Sequence, residues 1–218
     1  MVFRDRREAG ELLAQAILRK YNDTLKEPVV VAIPRGGVAI AEPIAETLNA
    51  PIELVIPRKI GAPFNEEFAI AAVIEDGYIL MNPSITDDVA YRMGISKDYI
   101  ERKALEEIEE IKRRKEKYLG GKSRINLEGK DVILVDDGIA TGLTVKAAIM
   151  SLRKENPGRI ILAVPVMPAD KVSEFQQLVD DLIVLYAPEF FNAVGQFYQS
   201  FPQTTDEEVI EIMEKFHP

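Results

Sequence analysis

The sequence predicts an α/β fold: a mostly parallel sheet flanked by helices, with an antiparallel hairpin excursion and a small C-terminal cap. Five short apolar, β-branched runs recur, at Val29–Ile33, Ile52–Ile56, Val132–Val135, Ile160–Val164 and Leu182–Tyr186. Each is too short for a helix and apolar enough to be buried on both faces. Helix-period stripes lie between most of them: Val38, Ala41, Ala45 and Leu48 after the first run, and Val145, Ala148, Ile149 and Leu152 after the third. Strand-helix-strand alternation means parallel strands with helices on both faces. The 218 residues, 47% hydrophobic and 29% charged, suffice for one well-buried domain.

The chain begins with "FRDRREAGELLAQAI", an amphipathic helix with Leu12, Leu13, Ala16 and Ile17 expected in the core and Arg4, Arg6 and Arg7 at the surface or helix end. The first apolar run ends in "PRGG", Pro34 to Gly37, a turn into the next helix. The second ends in "IPRKIGAPFNEE", where Arg58 and Lys59 precede a stretch with the Gly and Pro of a loop. "FAIAAVIEDGYILMN" follows, two β-rich runs joined by Glu75-Asp76-Gly77, whose Asp-Gly pair favours a tight antiparallel hairpin. "SKDYIERKALEEIEEIKRRKEKYLGG" reads as a long charged helix with Ile100, Ala104, Ile108, Ile111 and Tyr118 near one face and Gly120-Gly121 as its stop.

Charge and composition exclude several functions. The net charge of −9 opposes a broad nucleic-acid surface, so nucleic acid is not an expected partner and any polyanionic ligand must be met by local groups. With no cysteine there is no disulfide and no thiolate, and the one histidine, His217, stands next to last, so a zinc site is not expected. The N-terminus is charged from its fourth residue and no apolar run approaches ~18 residues. Neither a signal peptide nor a membrane segment is expected, and the expected location is cytoplasmic.

The chemistry concentrates in "VILVDDGIATGLT". Val132 to Val135 deliver Asp136 and Asp137 to the carboxyl edge of a parallel sheet, where ligands bind. Gly138 and Gly142 then allow close backbone approach, Thr141 and Thr144 offer hydroxyls, and the following helix opens with unpaired amides. That turn suits a phosphate monoester. The acids cannot share the anion; they suit the hydroxyls of a ribose diol, or a magnesium ion. A ribose 5-phosphate satisfies both halves.

This stretch resembles the phosphoribosyl-pyrophosphate (PRPP) signature of the type I phosphoribosyltransferases: an apolar strand, two acids, two variable residues, a small residue and Thr-Gly-x-Thr. Neither a Walker ending nor a dinucleotide fingerprint is present. The resemblance runs most strongly from Val29 to Leu152, and in its whole arrangement the chain resembles stand-alone predicted members of unsettled acceptor. It implies one domain over residues 1–218, with a core of about 29–165, a lid hairpin of about 58–82, and a hood of about 166–218 joined by the N-terminal helix.

The implied activity is transfer of phosphoribosyl from PRPP to a small-molecule nitrogen acceptor, such as a nucleobase, with magnesium as cofactor and pyrophosphate released. Asp136 and Asp137 would hold the ribose hydroxyls, directly or through magnesium. Gly138, Ile139, Ala140, Thr141, Gly142, Leu143 and Thr144 would form the 5-phosphate loop, and Pro34, Arg35, Gly36 and Gly37 the pyrophosphate loop, with a non-proline cis peptide expected at Arg35-Gly36 or its neighbour. Arg58 and Lys59 resemble the family's basic pair beside the pyrophosphate, and Glu66 and Glu67 are general-base candidates by position. "PEFFNAVGQFYQSF" resembles the base-stacking stretch of 6-oxopurine enzymes, which would make Phe190 or Phe191 the acceptor-stacking ring, while Ala140 matches the adenine and orotate types. A homodimer is common in the family. The alternative is a PRPP-binding regulator that uses the same pocket without turnover.

Overall fold

A computed structural model describes all residues, Met1–Pro218. In chain order the elements are α1 (Arg6–Tyr21), β1 (Val29–Ala32), α2 (Gly36–Leu48), β2 (Ile52–Leu54), β3 (Arg58–Ala62), β4 (Asn65–Val73), β5 (Ile79–Met81), α3 (Asp87–Arg92) and α4 (Lys97–Leu119). They continue with β6 (Asp131–Val135), α5 (Leu143–Arg153), β7 (Arg159–Val166), α6 (Val172–Leu178), β8 (Asp181–Tyr186) and α7 (Asp206–Phe216).

Five strands form a parallel sheet in the order β2-β1-β6-β7-β8, with β6 at its centre and β1 beside it. Strand side chains alternate between faces, and here both faces are apolar. Val30, Ala32, Ile133 and Val135 pack toward α1, α2, α4 and α7, while Val29, Val31, Val132 and Leu134 pack toward α5 and α6. Double burial explains the unbroken apolar runs in the sequence. No helix is long and apolar enough to cross a membrane.

A second sheet, β3-β4-β5, is antiparallel. β4 and β5 pair across the Asp76-Gly77 turn as expected, with Gly77 at φ +90°. The expected loop "IGAPFNEE" is instead the end of β3, a tight turn and the start of β4. The pairing tolerates Gly61 because the register shifts there and its bare Cα lies against the Glu66 backbone, which a side chain would strike. Ala72 and Ile74 of this sheet pack on Leu143 and Ala147 of α5, so the hairpin rests beside the start of α5.

α4 runs from a Ser96 cap, whose hydroxyl accepts from Tyr99 N, to Gly120 in the left-handed conformation. In α1 the buried set is Ala9, Gly10, Leu13, Ala14, Ile17 and Tyr21. Leu12, expected in the core, is 41% exposed. The true stripe is centred one residue further round, because α1 meets α2 along its Leu13 and Ile17 side. Residues 3 and 4 add a short extended stretch, with Phe3 N donating to Phe197 O (2.8 Å), Gln199 N to Phe3 O (2.8 Å) and Ser200 N to Arg4 O (2.9 Å). The N-terminus is thereby tied to the C-terminal segment.

Candidate active site

β6 is buried along its whole length and ends at Val135, so the chain presents Asp136 and Asp137 at the carboxyl edge of the central strands. Beside them β1 stays paired one residue past its end, Ile33 N donating to Val135 O at 3.2 Å, before the chain turns through Pro34, Arg35, Gly36 and Gly37 into α2. The Pro34–Arg35 peptide is cis, at the neighbour of the expected bond. The two glycines let this turn lie on the acids. A Cβ on Gly36 would collide with Asp137 Oδ2, and one on Gly37 would stand 2.9 Å from Val135 O and 3.3 Å from Asp136 Cα.

The acids are mostly enclosed. Asp137 N donates to Asp136 Oδ1 (2.8 Å), Tyr198 Oη donates to Asp137 O (2.6 Å), and Arg6 Nε donates to Asp137 Oδ2 (3.0 Å). Burial raises the Asp136 carboxyl well above its ordinary range, and the neighbouring Asp137 charge pushes the same way. Burial also raises Asp137, with the Arg6 guanidinium opposing the shift. Burial, and then Asp137, likewise raise the Tyr198 phenol.

After the acids, Ile139 N donates to Val166 O (3.0 Å), tying the turn to β7. Gly142 caps α5 at φ +86° with no side-chain cap bond, and the first intrahelical amide is Lys146 N to Gly142 O (2.9 Å). The amides of Leu143, Thr144 and Val145 therefore lack helical partners, and Ala140 and Thr141 in front of them are exposed. A cleft of about 950 Å³ opens here. Ala140, Thr141, Leu143 and Lys146 form one wall, Lys59, Glu67, Phe68 and Asn82 of the antiparallel sheet another, and Glu189, Phe191 and Asn192 of the C-terminal segment a third.

The structure brings Gly36, Gly37, Asp136 and Asp137 into one cluster and places Lys59, Ala140, Thr141, Leu143 and Phe191 around the cleft. The three expected cations pair with carboxylates on three different elements. Arg58 Nε donates to Glu107 Oε2 of α4 (2.7 Å), Arg35 Nη1 lies 3.7 Å from Asp206 Oδ1, and Lys59 Nζ lies 3.4 Å from Glu67 Oε2. Arg58 and Lys59 are consecutive strand residues, so their side chains leave β3 on opposite faces. Phe190 is 86% exposed and Phe191 packs on Phe197 with centroids 5.1 Å apart. Glu66 and Glu67 are exposed, and Glu67 alone of the two lines the cleft.

Two residues of the cluster lie outside the sequence-based expectations. Arg6, expected as a surface or helix-end charge, does open α1, but its side chain is only 12% exposed and faces Asp137, and Tyr198 carries no role in the sequence reading. Their partners are 131 and 61 positions away, beyond the reach of any local pattern.

The donor set fits a magnesium ion in part. One arginine faces two enclosed carboxyl groups, so hard oxygen donors remain for a cation. The chain gathers no group of three or more metal-ligating side chains. Magnesium commonly binds through one or two carboxylates together with substrate phosphate and water oxygens, so Asp136 and Asp137 would hold it with such oxygens.

A parallel α/β core, strand-end acids leading into a helix-opening turn, and an antiparallel hairpin across the cleft together define the type I phosphoribosyltransferase architecture. The chain matches the phosphoribosyl transferase domain family over residues 5–198 and belongs to it. Two Mycobacterium tuberculosis proteins, from strains CDC 1551 / Oshkosh and H37Rv, each bear the name "Putative phosphoribosyl transferase" and are 39% identical to it over 216 residues. Those residues are 99% of this chain and 47% of theirs, so it spans about half the length of these curated relatives. A crystal structure of a Thermus thermophilus protein superimposes with TM-score 0.80 at 37% identity, covering 100% of both chains. An Aquifex aeolicus protein shares the fold, with TM-score 0.52 at 15% identity over 87% of this chain and 78% of its own.

Proposed function

We propose that the protein transfers the phosphoribosyl group of PRPP to a small-molecule nitrogen acceptor, releasing pyrophosphate. The observation that carries this reading is the adjacency of two enclosed carboxylates and an uncapped helix start, joined by the turn from Gly138 to Gly142. One polar ligand with a diol at one end and a phosphate at the other satisfies both.

In this reading the free amides of Leu143, Thr144 and Val145, with the Thr141 and Thr144 hydroxyls, bind the 5-phosphate. That group does not react, and its binding energy orients the ribose. Between them Asp136 and Asp137 accept from the 2′ and 3′ hydroxyls, Asp137 from the 2′, and place negative charge where positive charge develops on the ring. The backbone of Pro34 to Gly37 faces the pyrophosphate, and Lys59, the one of the three cations that lines the cleft, exchanges Glu67 for its oxygens. The bond between C1 and the pyrophosphate oxygen breaks with its electron pair leaving on pyrophosphate. The acceptor nitrogen supplies the pair for the new C1–N bond, and its proton passes to Glu67, the lid carboxylate lining the cleft. Magnesium held at Asp136 and Asp137 would supply charge neutralisation for the polyphosphate. The antiparallel sheet serves as the lid, residues 166–218 as the hood, and Phe191, which lines the cleft where Phe190 does not, as the surface for the acceptor.

The test is pyrophosphate release from PRPP and magnesium with pooled purines, pyrimidines and amines, against a no-acceptor control. Asp137→Asn should lower acceptor-dependent release about 10²-fold, whereas Glu109→Gln on the solvated face of α4 should leave it unchanged. Equal effects of the two substitutions would defeat the assignment. Magnesium-dependent PRPP binding without any release would favour a regulator over a transferase.

A further inference from the structure

We propose that Arg6 is a positioning residue for Asp137, fixing the carboxylate so that it discriminates a ribose diol from a sugar lacking the 2-hydroxyl. The inference rests on the reading of Asp136 and Asp137 as the diol site. Arg6 stands at the start of α1, far from the site in sequence, yet its Nε meets Asp137 Oδ2 at 3.0 Å, with side chains only 12% and 17% exposed.

Arg6 is itself held from two further directions. Its guanidinium lies over the Phe201 ring, 3.8 Å from the centroid, and its Nη1 donates to Pro202 O. A planar cation stacked on a ring and hydrogen-bonded at two edges has little rotational freedom, so the oxygen it grips is held as well. Tyr198 fixes the same residue through its backbone, donating to Asp137 O at 2.6 Å while its ring packs on Phe3 (5.5 Å) and Phe201 (4.8 Å). The glycine turn closes the remaining side, since a Cβ on Gly36 would strike Asp137 Oδ2 and stand 3.1 Å from Arg6 Nε.

These contacts come from the N-terminal segment and from residues 198–202, whose backbones pair with each other. Nothing about the burial of α1 requires an arginine at its first turn; Ala9, Leu13 and Ile17 suffice for that. The guanidinium therefore serves the acid, and a tightly oriented carboxylate is what recognition of a particular hydroxyl needs.

The experiment compares ribose 5-phosphate and 2-deoxyribose 5-phosphate binding by calorimetry, so no acceptor is needed. Wild type should prefer the ribose form by tenfold or more, the usual worth of a hydrogen bond to a charged group. Arg6→Met keeps the apolar stem; it should reduce the preference to below about threefold while leaving 2-deoxyribose 5-phosphate affinity unchanged. Arg6→Lys should restore part of the preference, because it returns the charge without the planar fork. If Arg6→Met does not fold, Phe201→Leu, which removes the platform and keeps the cation, should give an intermediate preference. An undiminished preference in the folded variants overturns the role of Arg6 alone. Absence of any preference in wild type overturns the diol reading and this inference with it.

Discussion

Gly142→Ala is the substitution that best tests the geometry of the anion-binding turn. Gly142 has φ +86°, where a side chain costs about 1–2 kcal/mol. Its added Cβ would also stand 2.5 Å from Phe175 Cζ and 2.8 Å from Cε2, roughly 1 Å inside ordinary contact. Phe175 is fully buried in α6 and cannot swing into solvent, so overpacking adds about 1–3 kcal/mol. The sum is about 3 kcal/mol, equivalent to a thermal midpoint lowered by roughly 6–12 °C for a chain of this size. Because Gly142 caps α5, relief of the clash shifts the free amides, and ribose 5-phosphate affinity should fall with stability. The two contributions separate in a double-mutant cycle with Phe175→Leu, which clears the space and leaves the backbone strain. Calorimetric unfolding should show the pair to be less costly than the sum of singles by at least about 1 kcal/mol. Strict additivity, or a Gly142→Ala cost below about 0.5 kcal/mol, would refute the packing argument.

Glu53 is fully buried and accepts from Leu54 N (2.8 Å), Ile125 N (2.8 Å) and His217 Nε2 (3.0 Å). Glu53→Ala should cost about 2–5 kcal/mol in denaturant unfolding, through the two stranded backbone amides. Ribose 5-phosphate binding should persist wherever the protein is folded. Asp206 is held at about 2 by hydrogen bonds from Lys117 Nζ (2.7 Å) and Tyr118 Oη (2.6 Å). A carboxyl depressed below its unfolded value near ~3.9 stabilises fully above that value and loses its contribution as pH falls through the folded one. Asp206→Asn should therefore lower the unfolding midpoint at neutral pH, with the difference from wild type shrinking between about pH 4 and pH 2.

The parallel core was legible because burial on both faces of a strand leaves a local, continuous signature, and β1, β6, β7 and β8 begin and end within two residues of their apolar runs. The turn after β6 was legible for a related reason. Its acids, glycines and hydroxyls are contiguous, so the order of residues in the chain is also their order in space. The β4–β5 turn announced itself through Asp76-Gly77. By contrast, β3 was hidden: Gly61 and Pro63 carry loop propensity, and only the close approach of the Glu66 backbone to Gly61 shows why the glycine stays in the ladder.

Side-chain partners were harder to read, because they depend on which elements the fold brings together. Arg35, Arg58 and Lys59 looked like one basic cluster in the sequence, yet they face Asp206, Glu107 and Glu67 on three different elements. Arg6 is the reverse case. Among the several charges of "FRDRRE" nothing distinguishes it, since Arg4 and Arg7 beside it are exposed and form ordinary surface pairs. What separates them is angular position on the first turn of α1, together with a ring at position 201 and a carboxylate at position 137. An acid pair can be found by motif because its chemistry is local. The groups that hold such a pair still are recruited from wherever the chain returns, and here it returns from both ends.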